Sequence, residues 1–205
     1  MTALDEVHDD LTGAESDVDI GSFNAHLGSD IRSLRKARGM TLSELATVLD
    51  RSVGYLSQLE RGLSVPPVND ISRIAAVFDV PISWFLQHTH VPEHERGVVV
   101  RKQVRRRAGS LDSGLMEELL SPDIGGAFEM LLSSFAAGAS SASTVKRNTE
   151  ETAYMLSGTL EITVAGTTHT VRAGDSFSIR NENFSWHNPT NETARAVWTI
   201  APPVY

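Results

Sequence analysis

The chain contains no cysteine in its 205 residues. Disulfides, thiolate nucleophiles, zinc ribbons and thiol redox sensing are therefore excluded together. No apolar run approaches the roughly 20 residues needed to cross a bilayer, so no membrane-spanning segment is expected. The first 27 residues carry no Lys or Arg and lack the apolar stretch of a secretory signal. That combination points to a cytoplasmic protein. No internal repeat is visible.

What is present is ordinary in amount and uneven in placement. Apolar residues make up 40% and charged residues 21%, as in a soluble globular chain of one large or two small domains. The formal net charge is −8. Residues 1–27 carry −7, residues 28–110 carry +5 and residues 111–205 carry −6. The basic middle marks a candidate polyanion-binding surface. Residues 1–27 are expected to be a disordered acidic tail, with a frayed helix from about Ser22 as the alternative.

Residues 28–86 predict helices. Leu27, Ile31 and Leu34 form one apolar stripe, followed by Gly39 at a helix-terminating position. Thr41-Leu42-Ser43-Glu44 has the form of a capping box, and Leu42, Leu45, Ala46 and Leu49 continue at helical spacing. After a turn at Asp50-Arg51, Ser52 can cap a second short helix over about 53–61, with Leu56 and Leu59 inward. Ile71, Ile74, Ala75 and Phe78 make a further stripe, and Trp84, Phe85 and Leu86 close the core. Residues 87–97 look like a linker. From Val98 the period changes to two. Strands are predicted at 98–102, 128–135, 153–156, 160–164, 168–171, 176–179 and 195–200, with turns at Ser157-Gly158, Ala165-Gly166 and Ala173-Gly174-Asp175. So many short strands imply a β-sandwich or barrel over residues 98–205.

Two short capped helices joined by a tight turn match a helix-turn-helix. In that motif the first helix spans the DNA backbone and the second enters the major groove. Gln58 can pair with adenine, Ser52 and Ser57 can take several partners, and Val53 can touch a thymine methyl. Gly54 would allow close approach of the duplex. Thr41, Leu42 and Ser43 offer amides at a helix N-terminus, and Arg51 and Arg61 flank the reader as phosphate contacts. The plain alternatives are that Ser52 only caps and that the arginines are only solvated. The runs Ile31 to Ala46 and Ser52 to Gly62 resemble the phage-repressor-like (XRE-type) helix-turn-helix family over about 60 residues. The resemblance implies that Arg35 pairs with Glu60 in a structural role.

The second half resembles the cupin family, a small jelly-roll barrel, through Glu150 to Leu160, Ala173 to Phe177 and Asn188 to Glu192. Metal-binding cupins hold a divalent ion with an HxH pair, a Glu and a further His. Glu151 stands at the Glu position. The HxH positions fall on Val145 and Arg147, or on Thr144 and Lys146, and the last falls on Phe184 or Ser185, with His187 out of phase. The expectation is therefore no metal, no cofactor and no catalytic residue set. Arg147 and Glu151 become handles for a small-molecule effector, with Met130, Tyr154, Trp186 and His187 as walls. Aromatics that simply fill the barrel are the alternative. His88, His90 and His94 in the linker lack a carboxylate cage. Arg105-Arg106-Arg107 is expected to be a solvated charge run, with a secondary DNA contact as the alternative.

The order of the two resemblances implies a bacterial one-component transcriptional regulator, with an all-α N-terminal helix-turn-helix domain and an all-β C-terminal cupin. It is expected to be a repressor that binds operator DNA as a homodimer and senses a small polar metabolite in the barrel. Two rivals remain: a metal-dependent cupin enzyme fused to a DNA-binding domain, and a constitutive DNA-binding protein whose barrel only dimerises.

Overall fold

The computed structural model describes residues 20–86, 92–95, 97–122 and 124–204. The helical part comprises α1 (Ile20–Ala37), α2 (Leu42–Leu49), α3 (Val53–Glu60), α4 (Val68–Phe78) and α5 (Ser83–Leu86). Helix α1 starts at Ile20, which corrects the expected tail for residues 20–27 and agrees with the alternative of a helix from about Ser22. The apolar stripe of Leu27, Ile31 and Leu34 extends upstream through the partly buried Phe23 and the buried Asn24, so residues 20–27 have a face to bury. The rest of the expected tail lies outside the described residues, as does most of the 87–97 linker with His88 and His90.

Thr41 closes the capping box: its hydroxyl accepts from the Glu44 N–H at 3.2 Å while the Glu44 carboxylate accepts from the Thr41 N–H at 2.7 Å. Helix α2 ends in a left-handed Asp50, whose N–H turns back to the Ala46 and Thr47 carbonyls. Leu45, Leu49, Leu56, Leu59, Ile74, Phe78 and Phe85 are buried in one core. Gly28 sets the spacing of α1 on α3, because a Cβ there would stand 2.3 Å from the Leu59 carbonyl oxygen. Only glycine permits that backbone approach.

The β part has ten strands among the described residues: β1 (Arg107–Ser110), β2 (Leu115–Leu119), β3 (Glu129–Phe135), β4 (Val145–Lys146), β5 (Glu150–Ser157), β6 (Thr159–Val164), β7 (Thr167–Arg172), β8 (Ser176–Arg180), β9 (Asn183–His187) and β10 (Ala194–Ala201). They form a six-stranded sheet in the order β1-β2-β3-β10-β5-β8 and a four-stranded sheet in the order β4-β9-β6-β7. The strand predicted at 98–102 is absent. Val98 is exposed, and a β-prone run with no neighbour to pair with forms no ladder. Strands β1, β2, β4 and β9 were not predicted.

Register fixes the two faces of the larger sheet. Leu119, Leu131, Trp198, Ala153 and Phe177 lie side by side across it. A second row is Glu129, Ile200, Glu151 and Ile179, and a third is Glu117, Ser133, Ala196 and Met155. All three rows point into the barrel, since side chains two apart along a strand share a face. Met130, Thr199, Thr152 and Ser178 form a row on the opposite face.

The two parts meet through the arginine run. Arg106 is buried, and its Nη2 donates to Asp30 Oδ2 of α1 at 2.6 Å while its Nε donates to the Trp84 carbonyl at 3.1 Å. Trp84 returns the contact from its indole N–H to the Arg107 carbonyl at 2.9 Å. Arg107 and Arg105 both face Glu118 of β2, at 3.1 and 3.8 Å. The solvated run expected at 105–107 is thus corrected for Arg105 and Arg106, which paired acids on β2 and α1 draw inward, while Arg107 stays exposed beside Glu118.

Candidate nucleic-acid interface and barrel cavity

Helix α3 presents an exposed face. Ser52, Val53, Gly54 and Gln58 are exposed and Ser57 is half-buried, while Leu56 and Leu59 anchor the opposite side. The Ser52 hydroxyl accepts from the Tyr55 N–H at 3.1 Å, which caps the helix and starts it on the surface. A Cβ at Gly54 would meet nothing nearer than the Ser52 hydroxyl at 4.0 Å, so this turn is open to solvent. Thr41 and Ser43 are exposed at the start of α2, and Leu42 is half-buried beside them.

The angle of α3 is held from two sides. Arg35 forks onto Glu60, with Nε to Oε1 at 2.6 Å and Nη2 to Oε2 at 2.9 Å, and its Nη1 reaches the Met40 carbonyl at 2.7 Å. Arg51 forks onto Asp70 at 3.0 and 2.7 Å, and the Tyr55 hydroxyl donates to the same carboxylate at 2.8 Å. The Arg51 guanidinium holds the Asp70 carboxyl below its ordinary range. Burial, with the bond to Asp70, pushes the Tyr55 phenol up to about 12. Arg51 therefore braces the turn between α2 and α3 against α4. Arg61 differs: its Nε donates to the Ser57 carbonyl at 3.1 Å, and the residue is exposed at the end of α3.

In the barrel, a cavity of about 310 Å³ is lined by Glu117, Phe135, Arg147, Phe184, Trp186 and Trp198, among others. Phe135 meets Trp186 edge-on with ring centres 4.8 Å apart, and Phe184 lies 5.7 Å from Trp198. Of the residues expected to form this site, Arg147 and Trp186 line the cavity. Glu151 lies buried beneath it, accepting from the Trp198 indole and the Thr149 hydroxyl, each at 2.8 Å, with the Arg147 guanidinium 3.7 Å away. Met130 and Tyr154 are corrected as wall residues. Both stand on the outer face of the sheet, and Tyr154 is half-exposed opposite Ser176. His187 is corrected as well: it alternates with the inward Phe184 and Trp186, and its ring sits 3.2 Å from the Ser140 hydroxyl in an outer groove. Sequence reading missed Glu117 and Glu129.

The donor set does not suit a cupin metal. Val145 and Arg147 stand where two imidazoles would be needed, and Glu151 is already committed to an indole, a hydroxyl and a guanidinium. Among the described residues no three His, Asp or Glu side chains are grouped to hold an ion.

A helix-turn-helix family model matches residues 31–85, and a cupin domain model matches residues 131–200. The chain is a helix-turn-helix domain followed by a cupin domain. The helix-turn-helix region is similar to the HTH-type transcriptional regulator SinR of Bacillus subtilis, at 34% identity over 70 residues, 34% of this chain and 63% of that protein. It is also similar to the HTH-type transcriptional regulator DdrOP3 of Deinococcus deserti, at 28% over 95 residues, 46% of this chain and 65% of that one. The chain thus spans somewhat under two thirds of the length of these curated relatives. A solved helix-turn-helix transcriptional regulator from Vibrio cholerae is 19% identical and aligns over 90% of this chain and 99% of its own, with a TM-score of 0.43. No described helix of the helix-turn-helix and cupin parts is long and apolar enough to cross a membrane.

Proposed function

We propose that this chain is a cytoplasmic one-component transcriptional regulator, a repressor rather than an enzyme, that binds operator DNA through α2 and α3 and senses a small molecule in its cupin barrel. The observation that carries the reading is the braced and capped α3, which exposes Gln58, Val53 and Gly54 on one face while two ion pairs fix its angle. Fixed presentation is what reading base edges in a major groove requires. Arg61 and the amides at 41–43 supply phosphate contacts. An effector acts by binding one arrangement of the two domains better than the other, and the operator affinity shifts by that difference. The cavity beneath Arg147 supports sensing. Non-ligand side chains at the cupin metal positions argue against the metal-enzyme rival.

The test of the DNA reading uses two variants. Gln58→Ala is expected to lose about 1–3 kcal/mol on the specific site and to relax preference at one base position. Arg61→Ala is expected to weaken specific and random duplexes alike and to flatten the salt dependence. Equal losses on both kinds of DNA for Gln58→Ala would remove it as a reader.

A single reader helix contacts few bases, so the proposed working form is a homodimer joined through the cupin domain on an inverted-repeat operator. Light scattering at micromolar concentration is expected to give twice the 22.3 kDa chain mass. A monomer would refute this assembly.

A further inference from the structure

The cupin interior holds more acidic side chains than basic ones to pair with them. Glu117, Glu129 and Glu151 face it from β2, β3 and β5, and Arg147 is the guanidinium among them. Glu151 is matched by Thr149, Trp198 and Arg147. The other two are not. Glu117 accepts a single bond, from the Ser133 hydroxyl at 3.2 Å. Glu129 is only 3% exposed and likewise accepts one, from the Val204 N–H at 3.1 Å. The second oxygen of each accepts no bond from the described residues, and neither is sealed from water. Glu129 and Glu151 flank Ile200, which lines the 310 Å³ cavity, and Glu117 lines it directly. The facing walls are aromatic: Phe184, Trp186 and Trp198.

We infer that the ligand of this cavity is an organic cation, a protonated amine on a short apolar chain. Its ammonium supplies the N–H donors that Glu117 and Glu129 lack, and its carbon chain lies against Trp186 and Trp198. An ammonium brings three donors and a charge of the missing sign, and indole faces attract cations. A carboxylate ligand would add a fourth negative group beside three. A neutral ligand could donate hydrogen bonds but would bring no charge of the missing sign. The volume lies at the small end of ligand sites, which limits the chain to a few carbons. This inference rests on the proposal that the barrel is the sensing site, and it names the class of molecule sensed.

The test measures binding of 1,4-diaminobutane, n-butylamine and butyrate to the full chain by calorimetry and thermal shift at pH 8 and one ionic strength. At least one amine is expected to bind and raise the melting temperature, and butyrate is expected to do neither. Glu117→Gln and Glu129→Gln are each expected to weaken amine binding tenfold or more. Both keep a hydrogen-bonding side chain where burial already favours a neutral group, so both fold. Glu150→Gln, on the outer face and paired with Arg180, is expected to bind like the parent. Failure of both amines to bind, equal binding by the Gln variants, or binding of butyrate alone would each overturn the inference. Amine binding that leaves DNA affinity unchanged would instead remove the sensing role and leave the ligand class standing.

Discussion

Replacing Arg106 by Met is expected to lower stability by about 3 kcal/mol, the lower end of the cost of removing one partner from a buried ion pair. The guanidinium bridges Asp30 on α1 and the Trp84 carbonyl at the end of the helical domain, and both charged side chains are about nine-tenths buried. Methionine fills similar volume without the charge, so the loss reports the electrostatics and the hydrogen bonds rather than a cavity. Loss of this bridge is expected to divide one cooperative unfolding transition into two, with the helical domain melting first. Calorimetry reads this directly. A double-mutant cycle with Asp30→Asn is expected to give a coupling above about 1 kcal/mol. A single transition moved by no more than a degree or two would mean that the domains are held together elsewhere.

The second large effect is on pH. Burial is the main reason that the Glu129 carboxyl is pushed up to about 7; the nearby Glu117 and Glu151 add to the rise, while the Val204 N–H and Arg147 oppose it. Burial also raises Glu117. A carboxyl with a raised folded value binds its proton more tightly in the folded state than in the unfolded chain. Its contribution to stability is thus complete below the ordinary carboxylate range and is lost as pH rises through about 7. For Glu129 the swing amounts to about 3 kcal/mol. Chemical denaturation between pH 5 and pH 8 is expected to show stability falling with pH in the parent. Glu129→Gln should show much less of that fall and should be the more stable protein at pH 8. A parent whose stability rises steadily across this range would contradict the assignment. Bound ammonium is expected to reduce the fall in the parent, because it stabilises the ionised carboxylates.

What was legible in the sequence was local. The Thr41–Glu44 capping box and the Ser52 cap place their partners three residues away, and both can be read from residue order. The turn at Ala165-Gly166 and the cupin turn before Asp175 are equally local. Contacts made across the chain were not readable in the same way. The partner of Arg51 is Asp70, 19 residues on, and the partner of Arg106 is Asp30, 76 residues back. Residue type suggested phosphate or solvent for both arginines; packing buries Arg106, while Arg51 pairs with Asp70 and keeps much of its side chain exposed.

In the barrel, parity was the deciding quantity. Ala153 and Met155 are buried on the inner face of β5, so Tyr154 between them points outward, and the alternation in sequence contained that signal. Strand β3 is harder to read because both of its faces carry apolar residues. Leu131 and Phe135 point inward, while Leu132 is buried on the outer side. Met130 followed the wrong set. Glu117 was missed because Leu-Met-Glu-Glu-Leu shows no clean period-two pattern, so β2 itself went unpredicted. Glu129 was missed because a charged residue opening an apolar strand reads as a solvent-facing one. The two unpredicted carboxylates are the ones with unmatched oxygens, and sequence patterns that assume charges face water cannot find such groups.

The most direct measurement of the central claim is selection of duplexes from a random pool by the full chain, with sequencing of the bound fraction. The expected result is an enriched inverted repeat with half-site centres about one helical turn apart, and a position in each half-site whose preference disappears with Gln58→Ala. A pool that shows no enriched sequence, or an enriched site unchanged by Gln58→Ala, would contradict the assignment of α3 as the reader.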